Sequence, residues 1–224
     1  MKDSRVLIGA EGWQHAQWQG GFYPEDLPTD WQLAYYSNEF AVALIPAAYW
    51  PQGPVAVTSW VAESSETLRF IAEWPPQWHT PALIEQGCVL LEHLGDRVLG
   101  VLVPLSVPTA AIMQAVIERL QTRYRVCLDY GEDIPAPLLT AAGQFNNELV
   151  SVCWHGSGDG KILQQGPLAL VRIECKGLTL RDVRRVLDAC LAAQDPQRYL
   201  LVIFAGKPPD VTLMQQAKVM LDMM

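Results

Sequence analysis

The chain has 224 residues, half of them hydrophobic and 18% charged, with a formal net charge of −8. That balance repels a phosphate backbone, and the densest basic group, Arg181, Arg184 and Arg185, falls on a helical stretch as a solvated face, so nucleic acid is not an expected partner. Pro104 and Pro108 break the longest apolar stretch short of the ~20 residues that cross a bilayer, and the first residues lack a signal-peptide pattern, so a cytoplasmic protein with no membrane partner is expected.

Eight short runs rich in Val, Leu and Ile recur near residues 5–10, 40–46, 68–74, 97–105, 123–130, 148–155, 167–175 and 198–205. Continuous apolarity of this length fits parallel strands covered on both faces. Helical spacing fills the gaps. Thr29 to Gln32 and Thr179 to Asp182 have the form of capping boxes, and Thr80 before Pro81 suits an N-cap with a first-turn proline. Stripes through Leu83, Ile84, Cys88 and Leu91, through Ile112, Ala115, Val116, Arg119 and Leu120, and through Val183, Val186, Leu187 and Cys190 are read as inner helix faces. After strand two, Pro51 to Pro54 delays a short helix. After strand six, Gly156 to Gly160 leaves little room for one and reads as a flexible turn or lid.

The fold class this predicts is α/β: a (β/α)8 TIM-type barrel in one domain over 1–224, shortened against the usual ~250 residues and irregular around strands two and six. Cys88, Cys127, Cys153, Cys175 and Cys190 show no Cys-x-x-Cys spacing and are read as buried reduced thiols. The apolar C-terminal stretch Val219 to Met224 is read as a last helix packed on the barrel, with self-association as the alternative.

Residues 9–24 place Trp13, Trp18, Phe22 and Tyr23 at fixed offsets from Gly9, Gly12, Gly20 and Gly21, directly after Val6, Leu7 and Ile8. The pattern Gly-x-x-Gly-Trp-x-x-x-x-Trp-x-Gly-x-Phe-Tyr-Pro resembles the opening of the YecE-like family, domain of unknown function 72. Phe70 to Pro75, Val101 to Pro104, Val150 to Trp154, Leu170 to Ile173 and Val202 to Phe204 are similar to its third, fourth, sixth, seventh and eighth strands in order. The resemblance implies a barrel whose reacting groups belong at the carboxyl ends of the strands.

At those ends this chain departs from the family's pattern. Relatives carry Glu and Asn where Leu44 and Pro46 precede Tyr49 and Trp50, a lysine where Glu73 stands, and a glutamine near Leu102. Their Glu-Phe-Arg corresponds to Cys127 to Asp129, their Arg-x-His-Gly to Arg172 to Cys175, and their paired asparagines to Ala205 and Gly206. The expected mouth therefore holds Arg172 among Glu73, Asp129 and Glu174, with Glu11 from the first loop. An arginine so placed is engaged by ion pairs rather than open to an anionic ligand.

Two uses of that mouth follow. The first is a divergent family member serving as a non-catalytic binding or interaction protein, for a small molecule or a protein partner. The second is a hydrolase or isomerase acting on a small neutral or cationic ligand, with Arg172, Glu174, Asp129 and Glu73 as catalytic candidates. Candidate binding residues are Glu11, Trp13, Trp18, Tyr49, Trp50 and Trp154. The aromatic rings could stack on a ligand, although glycines interleaved with large rings fit better a loop folded on its own small core. That first segment is expected to seal the barrel end opposite the altered rim. No nucleotide fingerprint supports a cofactor. Cys153, His155, Glu174 and Cys175 come from consecutive strands, but alternation points Glu174 and Cys175 to opposite faces, so no metal site is expected.

Overall fold

A computed structural model describes residues 6–105, 109–130, 149–157, 160–193, 195 and 198–224. Residues 5 and 148, which open two of the expected strand runs, and residues 158–159 of the expected lid lie outside the described residues.

All eight apolar runs contain a strand: β1 Val6–Glu11, β2 Val42–Ile45, β3 Arg69–Glu73, β4 Val98–Pro104, β5 Val126–Asp129, β6 Val150–Val152, β7 Ala169–Glu174 and β8 Leu200–Ala205. Every named pairing is parallel, and the sheet order is β6-β5-β4-β3-β2-β1-β8-β7. The two ends of that order meet at Trp154, whose N–H donates to the Leu170 carbonyl at 3.0 Å and whose own carbonyl accepts from the Arg172 N–H at 2.9 Å. The sheet is thereby closed as a (β/α)-type barrel whose β6–β7 seam is its thinnest part.

Strand alternation divides the apolar residues into two cores. Val42, Leu44, Ile71, Leu102, Cys127, Cys153, Leu170, Leu201 and Ile203 fill the barrel interior, which is packed rather than hollow. The opposite strand faces join the inner helix faces in a larger outer layer. Close packing shows most sharply at Gly9, where an added Cβ would fall 1.8 Å from the Val42 carbonyl oxygen.

The described helices are α1 Gln32–Glu39, α2 Gly53–Glu63, α3 Pro81–Glu92, α4 Ala110–Leu120, α5 Leu180–Ala193 and α6 Val211–Asp222. Thr80 caps α3 by accepting from the Leu83 N–H, and Thr179 and Asp182 form the expected reciprocal box before α5. The cap expected at Thr29 differs: a 3-10 turn over Thr29–Trp31 precedes α1, with no side-chain cap on it. The irregularity expected after strand two also differs. Pro51 sits inside a 3-10 segment, Ala47–Gln52, after which Gly53 opens a helix of 11 residues. Strand six is the irregular one, three residues long and followed by only a 3-10 segment, Gly160–Gln164.

On α6, Leu213, Met214 and Ala217 pack inward while Val219, and Met223 just beyond the helix, remain exposed. Among the described residues no helix is long and apolar enough to cross a membrane.

Candidate functional site at the barrel mouth

Side chains on alternate positions of the strands point into the barrel. The last inward positions of β1, β3 and β5 are Glu11, Glu73 and Asp129, and β7 supplies Arg172. The Arg172 guanidinium donates to Asp129 Oδ2 at 2.7 Å and to Glu11 Oε2 at 2.8 Å, with Glu73 Oε1 at 3.5 Å. One cation thus bridges three strands across the mouth, and its side chain remains 21% exposed.

Each carboxylate is held by its own element. Gly12, at φ +73°, turns the chain after Glu11 and donates its N–H to the Leu44 carbonyl. A Cβ there would meet the Tyr49 hydroxyl at 2.9 Å, so this turn requires glycine. Glu73 Oε2 accepts from the Ala47 N–H at 2.8 Å, and the Trp50 indole N–H donates to the Glu73 carbonyl at 2.7 Å. Asp129, only 4% exposed, also pairs through Oδ1 with His155 Nε2 at 2.7 Å.

Glu73 and Asp129 do not titrate alike. Burial raises the Glu73 carboxyl above its usual value, more than the Ala47 hydrogen bond and the Arg172 charge lower it. Burial also pushes Asp129 upward, but there the His155 hydrogen bond and the Arg172 charge prevail and hold it below its usual value. For Arg172, burial works against the charge, yet Glu11, Glu73 and Asp129 together hold its pKa above the ordinary one. Its fork is therefore occupied by carboxylates, as the sequence implied.

Glu174 does not join this group. It lies two residues beyond Arg172 on the same strand face, one step of ~6.6 Å up the barrel, and is exposed at the rim. With Glu11, Arg172, Cys175, Lys176, Lys207 and Asp210 it lines an open cavity of about 590 Å³.

The candidate binding aromatics lie elsewhere. Trp13 is 1% exposed, edge-on to Tyr49 at 5.0 Å and to Trp60 at 5.3 Å. Trp18 is buried too, donating its indole N–H to the Pro209 carbonyl, and the Tyr23 hydroxyl donates to the Trp13 carbonyl. Trp50 and Trp154 are buried, and Tyr49 is partly buried with its hydroxyl accepting from the Gln14 N–H. Trp13, Trp18 and Tyr23, with Tyr49, form the small core foreseen for the first segment, packed into the layer between strands and helices, whereas Trp154 lies apart at the β6–β7 seam. The segment does not seal the opposite end of the barrel. It follows the carboxyl end of β1 and so stands beside the mouth that carries Arg172.

One residue of the network was missed from sequence. The sequence position of His155 suggests only a metal-ligand type beside Cys153, Glu174 and Cys175. The structure instead sets Asp129, Cys153 and His155 together, with a ligand atom of each within 4.8 Å of the others. The spacing of Cys153 and His155 gave their shared face, but their approach to Asp129 depends on the β5–β6 register.

A parallel eight-stranded barrel with its charged groups gathered at the carboxyl ends of the strands is a TIM-type barrel protein with a candidate site where that architecture carries its chemistry. Residues 7–128 match the model of a family described as protein of unknown function DUF72, and the chain belongs to that family. A solved DUF72 family protein from Enterococcus faecalis V583 resembles it with a TM-score of 0.61 over 96% of this chain and 97% of its own, at 14% identity. At that identity the likeness speaks for the fold alone. No curated protein matches this chain.

Proposed function

We propose that this DUF72 barrel is a binding protein for a small neutral or cationic molecule at its mouth, with no catalytic step. The observation that carries the reading is the occupation of Arg172. Three carboxylates, Glu11, Glu73 and Asp129, surround one guanidinium beside an open cavity of about 590 Å³, in whose further lining Glu174 and Asp210 are matched by Lys176 and Lys207. At the Arg172 end of that cavity a cation meets carboxylates already oriented, whereas an anion reaches the guanidinium only by displacing one of them. The reading also takes the protein to be cytoplasmic, which its five free cysteines suit.

A thermal-shift comparison of matched small amines, neutral analogues and carboxylates tests this. Amines or neutral compounds should raise the unfolding temperature, and Glu11→Gln should weaken the effect of the amines. Stabilisation by carboxylates alone would overturn the reading.

A second reading rests on a different contact. Asp129 is almost fully buried and orients His155 through a 2.7 Å hydrogen bond, while the imidazole is 42% exposed. A buried carboxylate fixing a half-exposed imidazole is the arrangement of a general base, which fits a hydrolase or isomerase. Turnover of a bound compound that disappears in His155→Asn, with binding retained, would select this reading over the first.

A further inference from the structure

Below the open cavity, Asp129 on β5 and Cys153 and His155 at the end of β6 form a mixed oxygen, sulfur and nitrogen donor set. Their ligand atoms all lie within 4.8 Å of one another, and Asp129 and Cys153 are both 4% exposed. Tetrahedral zinc with bonds near 2.0–2.3 Å sets its ligand atoms about 3.3–3.8 Å apart, so the three side chains need only small rotations to share one ion.

From this geometry we infer that Asp129, Cys153 and His155 form a binding site for a thiophilic divalent cation, zinc being the chemical type. Three observations beyond proximity support it. The donors differ in kind, which suits a borderline-soft metal and not calcium or magnesium, for which all-oxygen sites are usual. Arg172 engages the far oxygen of Asp129, Oδ2, in the manner of an outer partner that fixes a ligating carboxylate while Oδ1 faces His155 Nε2. The surroundings are also negative, since Glu11 and Glu73 add two carboxylates against the single charge of Arg172. Three protein ligands leave a fourth position for water or another small ligand, and His155 is exposed enough to allow entry. The site shares Asp129 with the ion-pair group around Arg172, but the cavity lining itself does not include Asp129, Cys153 or His155.

Cobalt(II) replaces zinc in such sites and reports a bound thiolate by a near-ultraviolet charge-transfer band. Full-length protein stripped with a chelator and titrated with cobalt(II) alone should bind one equivalent and show that band. The band should persist in Cys88→Ala, whose thiol lies on α3 outside the barrel, and vanish in Cys153→Ser. His155→Asn, a change at a half-exposed position, should weaken cobalt binding at least ten-fold, and it decides the matter if Cys153→Ser does not fold. Absence of the band in the wild-type protein, or cobalt binding unchanged in a folded Cys153→Ser or in His155→Asn, would overturn the site.

Discussion

Asp129 and Glu73 meet the same guanidinium with opposite consequences for stability. The Asp129 carboxyl is held below its usual value, so its contribution is fully present above the unfolded pKa of about 3.9 and is lost as the pH falls through the folded one. The Glu73 carboxyl is raised by burial, so the folded state favours its neutral form. Ionised Glu73 therefore destabilises the fold at neutral pH, an effect that fades as the pH falls toward the unfolded value of about 4.3. Urea unfolding at pH 7 should show Asp129→Asn losing roughly 3 kcal/mol, as when one partner is removed from a largely buried ion pair. Glu73→Gln can still accept from the Ala47 N–H and should lose nothing or gain slightly. The deficit of Asp129→Asn should shrink below pH 4. Equal losses for the two variants at pH 7 would contradict this division of roles. The residues themselves were legible in the sequence, since Glu11, Glu73 and Asp129 stand at the ends of apolar runs where a barrel places its mouth, and the family resemblance singled out Arg172 within the seventh. What was not legible was height: Glu174 shares a face with Arg172 but stands one step too high, and His155 finds Asp129 only through the register of β5 and β6.

The segment over residues 12–24 acts as an element although it holds no more regular structure than a 3-10 turn, Ala16–Trp18. Four rings, Trp13, Trp18, Phe22 and Tyr23, bury themselves against Tyr36, Phe40, Trp60 and Phe70, and side-chain donors tie the segment to distant backbone, as Trp18 does at Pro209. Trp13→Ala should therefore cost on the order of 3–5 kcal/mol, read as a drop in the midpoint of denaturant unfolding. An unchanged midpoint would mean that Trp13 is a ligand surface after all. The glycine and aromatic pattern announced this core, but it carried no information on which end of the barrel the core would flank. Helices were legible where a cap coincided with an apolar stripe, as at Thr80 and Thr179. Around α2 the prolines misled, because Pro51 is absorbed by a 3-10 turn and Pro54 falls in the first turn of the helix, where its missing N–H leaves no bond unmade.

At the scale of the whole molecule, eight apolar runs of strand length marked parallel strands buried on both faces, a pattern shared by open doubly wound sheets, and the family resemblance pointed to closure. Sequence spacing does not fix how strands shift against one another around the barrel, and that shift decides which charges meet. The account rests on one such meeting, the gathering of Arg172 by carboxylates from three strands, on which the proposed binding of neutral or cationic molecules depends. A double-mutant cycle in urea with Arg172→Met, Asp129→Asn and the combined variant measures it directly. The account predicts a favourable coupling of about 1–3 kcal/mol between the two positions at pH 7, as found for residues joined in one buried network. A coupling indistinguishable from zero would mean that Arg172 stands free at the mouth, and an anionic ligand would then be the better expectation.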